Sequence, residues 1–384
     1  QRTVRGFRTG GEPRQARREM IGPTEGEERD RCVLRGHASR VREATIAAVR
    51  TADAVPEFDG SAVLITGGLG FIGSNLARRL VGLGAQVTVV DSLIPEYGGN
   101  LRNVADIVAD IAVNISDVRD PHSMRALIQG KDFLFNLAGQ TSHLDSMTDP
   151  HTDLDINAGA QLSILEACRA DNPGIRVVFA STRQIYGRPD YLPVDEEHPI
   201  RPVDVNGINK VAGEWYHLLY QQVHGIAACA LRLTNTYGPG MRVRDARQTF
   251  LGIWIKQVLT GEPITVFGDG LQRRDFTYVD DCVDALLLAA RDRRAEGRVF
   301  NLGSDEVISL ADLARLVTSL VPGSEYRLVP FPPERKVIDI GDYYADTTLA
   351  REELGWQATT PLAEGLARTI DYYRANGADY WDAP

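Results

Sequence analysis

Cysteine is scarce: the 384 residues hold four, Cys32, Cys168, Cys229 and Cys282, and none belongs to a CxxC pair or a Cys/His cluster. That scatter offers neither a zinc site nor a disulfide framework, and it suits reduced, mostly buried thiols in a cytoplasmic protein. No apolar run approaches the ~20 residues a membrane helix needs. Basic residues are outnumbered, 42 against 52 acidic, for a formal net charge of -10. A nucleic-acid surface is therefore disfavoured as the main partner. Internal repeats and low-complexity blocks are missing after residue 60. What is present, 43% hydrophobic and 24% charged residues, is the balance of a soluble globular chain with one large core or two moderate ones.

Residues 1–58 form a separate compositional zone, with arginines interleaved with glutamates and no sustained apolar periodicity before Val41. It reads as a flexible extension with one short candidate helix at Val41 to Val49. Its acids, Glu25, Glu27, Glu28 and Asp30, set it apart from the acid-poor composition of organelle-targeting peptides.

The stretch SAVLITGGLGFIGSNLARRLVGL, Ser61 to Leu83, reads strand, glycine turn, helix. Gly67, Gly70 and Gly73 punctuate the turn. Glycines there let the backbone turn tightly and approach a pyrophosphate, and the helix N-terminus offers free N–H groups and a positive dipole end to the phosphates. A second strand, Gln86 to Val90, ends in Asp91, ~20 residues past the turn, where an acid hydrogen-bonds the adenosine ribose and repels a 2′-phosphate. NAD is therefore favoured over NADP.

Strands and helices then alternate: strand Ala112 to Ser116, helix Pro121 to Gln129, strand Asp132 to Leu137, helix His151 to Ala170, strand Arg176 to Ala180, helix Gly207 to His224 and strand Ala227 to Leu233. Such alternation predicts a doubly wound parallel sheet of the α/β class, with ligands at the carboxyl ends of the strands. Those ends are Gly67, Asp91, Asp117, Leu137-Ala138-Gly139, Ser181-Thr182 and Thr234-Asn235. After Tyr237 the pattern becomes less regular, with a helix at Gln248 to Leu259, a strand at Ile264 to Phe267 and the loop GDGLQRRD, 268–275. The expected division is a nucleotide-binding domain over 59–236, with 276–303 returning to it, and a smaller interleaved substrate domain from 237–275 and 304–384.

From Ser61 to Tyr373 the chain resembles the extended short-chain dehydrogenase/reductase family, in its nucleotide-sugar epimerase and dehydratase branch. The matching motifs are GGLGFIG (67–73), SDVRD (116–120), NLAGQ (136–140), ASTRQIYG (180–187), RLTNTYGPG (232–240), FGDGLQRRDFTYVDD (267–281), NLG (301–303) and ELGW (353–356). The resemblance implies a Rossmann fold binding NAD through the turn that includes Phe71 and Ile72. It also implies that Asp117 and Val118 hold the adenine, that Leu137 to Gly139 line the cofactor, that Asn235 and Arg274 grip the substrate diphosphate, and that Thr182 hydrogen-bonds the sugar hydroxyl that is oxidised. Asp117 also suits the N-cap of the following helix. Tyr186 reads as a packing residue with its hydroxyl satisfied.

Two departures follow. The family's tyrosine, which accepts the hydroxyl proton, stands four residues before the lysine, so that both share one helix face. Four before Lys210 this chain has Asn206. An asparagine amide orients a sugar hydroxyl or carbonyl but has no proton to exchange near neutral pH. The candidate bases are Lys210 itself, which also borders the cofactor, and His143, with Asp204 a weaker one. Secondly, the acid pair that follows the Ser/Thr in 4,6-dehydratases is replaced by Arg183 and Gln184, which disfavours that dehydration and makes Arg183 a candidate ligand for a substrate carboxylate or phosphate. The expected reaction is epimerisation through a transient keto-sugar, with no metal; the competitors are a decarboxylase, an unusual dehydratase, or a cofactor-bound sensor without turnover. The resemblance further implies a homodimer formed on the helix face carrying Val211, Trp215, Leu218 and Gln222.

Overall fold

The first strand, β1 (Ala62–Thr66), is apolar because both faces of its sheet are covered, and Val63, Leu64 and Ile65 are fully buried. It comes from a computed structural model that describes residues 58–381 apart from 246 and 248. Residues 1–57 of the expected extension, with its candidate helix at Val41 to Val49 and Cys32, lie outside the described residues, while its last residue, Phe58, belongs to the core, buried against Phe133. Helix α1 (Phe71–Gly82) follows the glycine turn, and its N-cap Gly70 supplies no side chain to its first N–H groups. Then come β2 (Gln86–Asp91), β3 (Ala112–Ile115), α2 (Pro121–Ile128), β4 (Phe133–Asn136) and a short α3 (His143–Thr148).

The single helix expected over 151–170 is interrupted. Pro150–Leu154 forms one helical turn, α4, Asp155–Gly159 opens into a wider π-type turn, and Ala160–Asp171 resumes as α5. Next come β5 (Arg176–Thr182), the twenty-residue α6 (Val205–His224), β6 (Ala227–Leu233) and the short β7 (Asn235–Tyr237). Helix α6 starts two residues before its expected beginning because Asp204 caps it, accepting 2.7 Å from the Gly207 N–H. It stops at Gly225, whose φ of 71° suits only a residue without a Cβ.

The remaining elements are α7 (Phe250–Thr260), β8 (Ile264–Phe267), β9 (Arg273–Tyr278), α8 (Val279–Arg291), β10 (Val299–Asn301), β11 (Val307–Ser309), α9 (Leu310–Ser319), β12 (Tyr326–Val329) and α10 (Leu362–Asn376). Seven strands form one sheet in the order β10-β6-β5-β4-β1-β2-β3, every pair parallel. Leu76 and Leu80 of α1 pack with Leu286 of α8 against one face, and Met124, Ile164 and Leu165 cover the other. The strand order reverses between β1 and β4, which opens a crevice at their carboxyl ends. A second core, built on Trp254, Ile255, Leu313, Val317, Leu366 and Tyr373, joins α7, α9 and α10 to the small sheets β11-β9-β7 and β12-β8.

One expected surface is corrected. Val211 does not lie on the exposed face of α6 but is buried with Ile185, Tyr186 and Tyr343. The outward apolar stripe is instead Ile208, Trp215, Leu219 and Val223.

Candidate active site

The crevice is a cavity of about 270 Å³ whose wall begins at the glycine turn. Gly67 has φ 66°, and a Cβ on Gly73 would sit 2.3 Å from the Gly67 carbonyl oxygen, so close helix–strand contact requires the glycine. Phe71, Ile72 and Gly70 line the same wall. At the end of β2, Asp91 accepts from the N–H groups of Leu69 (3.2 Å) and Leu93 (2.9 Å); burial nonetheless raises its pKa. Asp117 and Val118 border the cavity beyond it. The Asp117 carboxylate is chelated by the Arg119 guanidinium, with Nη2 2.6 Å from Oδ2, which lowers its pKa. Asp117 does not cap α2; Asp120 does that.

At the end of β4, Thr66 Oγ1 accepts from the backbone N–H groups of Leu137 and Ala138, both at 3.0 Å, and this fixes the strand-end loop against β1. A Cβ on Gly139 would lie 2.8 Å from Lys210 Nζ and 2.9 Å from Asn157 Oδ1. The π-type turn brings Asn157 to this point, where its Oδ1 is buried without a hydrogen-bond partner among the described residues. Lys210, on α6, donates to the Ala180 carbonyl at 3.2 Å and lies over the Phe179 ring. Burial drives its pKa down to about 8 against the opposing pull of Asp153.

Asn206, one turn before Lys210, donates to the Gln140 carbonyl at 2.8 Å and to Asp153 Oδ2 at 3.0 Å. The other oxygen of Asp153 accepts from Asn209 at 2.7 Å. Sequence reasoning missed Asp153: it lies in an acid-rich stretch, and only the packing of α4 against α6 makes it a clamp. Thr182 lines the cavity beside Lys210, its Oγ1 accepting from the Gln184 N–H at 3.2 Å.

His143 and Asp204, weighed separately in the sequence, meet here. His143 Nδ1 lies 3.0 Å from Asp204 Oδ2, off the line of a hydrogen bond. Gln184 Nε2 donates to the same oxygen at 2.8 Å. Burial opposes charge on Asp204, but His143, the Gly207 N–H and Gln184 together lower its pKa. Nothing in the spacing of residues 143 and 204 forecasts that contact.

A second cavity, of about 700 Å³, adjoins the first on the side of the smaller core. His143, Arg183, Gln184 and Asn235 border both. Of the residues singled out in the sequence only Arg274 lies solely in the larger one. Its guanidinium donates to backbone carbonyls at Arg273 and Gly341, and burial and the nearby Arg183 push its pKa down to about 10. Tyr186 is fully buried, donating to Asn301 at 2.7 Å and accepting from Arg232 at 2.6 Å.

A glycine turn opening an uncapped helix, a half-buried acid at the end of β2 and a crevice at the sheet's switch point define a dinucleotide-binding enzyme fold. Residues 63–303 match the model of the NAD dependent epimerase/dehydratase family, and the chain belongs to that family. A putative UDP-glucose 4-epimerase of Methanocaldococcus jannaschii is 32% identical over 317 residues, 82% of this chain and 99% of that protein. UDP-glucuronic acid decarboxylase 1 of Xenopus tropicalis is 33% identical over 329 residues, covering 83% and 73%. Among solved structures, the Thermus thermophilus UDP-glucose 4-epimerase complex with NAD has a TM-score of 0.73 at 29% identity, covering 82% of this chain and 99% of that one. The cofactor is NAD, and the glycine cradle and the space at Gly139 fit it.

Proposed function

We propose that this chain is a nucleotide-sugar epimerase that works through a transient keto-sugar, with His143 moving the proton that the family assigns to a tyrosine. The observation that carries the reading is the shared wall of the two cavities, which puts Thr182 and Lys210 on the cofactor side of a space large enough for a sugar nucleotide. Bound NAD supplies the means to oxidise a sugar carbinol and then to reduce the ketone again.

The chain's own residues supply the rest. Thr182 orients the sugar hydroxyl, and His143 accepts its proton and later returns it, so the reaction conserves mass. Asp204 faces the imidazole at 3.0 Å, the position a buried carboxylate takes toward a histidine base. Lys210 is tethered to Ala180 and supplies positive charge at the cofactor end of the site. Asn206 is clamped by Gln140 and Asp153, so it serves as a fixed polar wall. Asp91 takes the adenosine ribose, Asp117 and Val118 the adenine, and Asn235 and Arg274 the diphosphate.

The exposed stripe of Ile208, Trp215, Leu219 and Val223 supports a homodimer, since so contiguous an apolar face on one helix marks an interaction surface. The test of the reaction is NMR of products formed from a panel of nucleotide sugars, after mass spectrometry of small molecules released from the purified protein. An isomer of equal mass supports epimerisation. Loss of carbon dioxide or water points to a decarboxylase or dehydratase, and NAD binding without any turnover points to a sensor.

A further inference from the structure

Arg183 begins the 3-10 turn directly after Thr182. Among the described residues Nη1, sealed from solvent, has no hydrogen-bond partner, and Nη2 makes one neutral bond, 3.2 Å to Asn235 Oδ1. The guanidinium lies over the Tyr343 ring, 5.3 Å from its centroid. Among the described residues no carboxylate reaches it at ion-pair distance. The acids whose fields act on it are held at other contacts: Asp204 by Gly207, Gln184 and His143, and Asp275 by the Ala345 N–H through Oδ2, while its buried Oδ1 has no hydrogen-bond partner among the described residues. Arg274 adds a second positive charge that repels it. A buried guanidinium with one neutral partner and a like charge nearby is costly unless a ligand completes it.

Position says which part of the ligand that is. Arg274 borders only the larger cavity, whereas Arg183 borders both and follows the residue that orients the reacting hydroxyl. The end of the substrate that reaches the cofactor is the sugar. We infer that the sugar itself carries an oxyanion, a ring carboxylate of the uronate type, and that Arg183 is the residue that selects it. This rests on the proposed nucleotide-sugar reading. Two N–H donors in a fixed plane match the two oxygens of a carboxylate, and a neutral hydroxymethyl group leaves the charge unmet.

The test is calorimetric titration of the NAD-loaded protein with three ligands that share one nucleotide: the nucleoside diphosphate, its hexose and its hexuronate. It is repeated for uridine, thymidine, guanosine and cytidine. The wild-type protein is expected to bind the uronate about tenfold or more tighter than the hexose, the range for a charge-assisted bond. Arg183→Gln should remove that preference while leaving the nucleoside diphosphate within about twofold, and Arg183→Lys should restore part of it. Without substrate, Arg183→Gln should melt no lower than wild type, because it removes an unmet buried charge; this also establishes that the variant is folded.

Equal wild-type affinity for uronate and hexose overturns the inference. So does an Arg183→Gln loss that is as large for the bare nucleoside diphosphate, which would place the guanidinium on the phosphates. If no nucleotide of any kind binds, the nucleotide-sugar reading itself fails and takes this one with it.

Discussion

His143 Nδ1 stands 3.0 Å from Asp204 Oδ2, across 61 positions of sequence, and the carboxylate is itself pinned by the N-terminus of α6 and by Gln184. The contact joins the strand-end loop after β4 to the helix that carries Lys210. It sets a histidine beside a buried carboxylate in a site without the expected tyrosine.

Replacing His143 by Gln should lower kcat by about 10²- to 10⁴-fold, the usual worth of a positioned general base. Asp204→Asn is the sharper variant, because asparagine caps a helix as well as aspartate does and only the charge is lost. It should cut kcat, with NAD affinity unchanged by equilibrium titration. Full activity in His143→Gln would move the proton transfer to Lys210.

Asp91, proposed to take the adenosine ribose, is expected to decide between cofactors. Asp91→Asn keeps an acceptor for the Leu69 or Leu93 N–H but loses the charge facing the ribose, so the ratio of NADP to NAD affinity should rise about tenfold or more. Direct titration with both dinucleotides measures it.

The buried pair of Arg232 and Glu214, 2.6 Å apart, ties β6 to α6 and is shared with Ser181 and Tyr186. Glu214→Ala leaves the guanidinium unpaired in the core and should cost about 3–5 kcal/mol in urea unfolding. A double replacement of both partners by leucine and methionine should cost much less.

Burial raises Asp275 from 3.8 to about 6, so the folded state holds its proton more tightly than the unfolded chain does. The stability this contributes is fully present below about pH 4 and is lost as pH rises through about 6, at most about 3 kcal/mol. Asp275→Asn has no such loss. Its stability relative to wild type should therefore climb between pH 4 and 6 and level off above, as read from denaturation midpoints across that range.

Trp215→Glu puts a charge in the middle of the exposed stripe on α6. If that stripe pairs two copies, sedimentation should show a dimer in wild type and a monomer in the variant, with the melting profile of the variant dependent on neither concentration nor salt.

Local patterns determined a large part of this protein. The alternation of apolar strands with amphipathic helices is written residue by residue, because burial on both faces of a parallel sheet demands it, and the glycines at 67, 70 and 73 carry their own steric reason. The parallel sheet and the choice of NAD were legible for that cause. Legible too was the absence of a tyrosine before Lys210, since it depends on one helical turn. Tertiary structure alone decided what stands in its place. The meeting of His143 with Asp204, the clamp that Asp153 puts on Asn206, and the unmet charge of Arg183 all arise between segments distant in sequence. The outward face of α6 was misread for the same reason: a helical repeat gives the spacing of a stripe, but the direction it faces is set by what Val211 packs against.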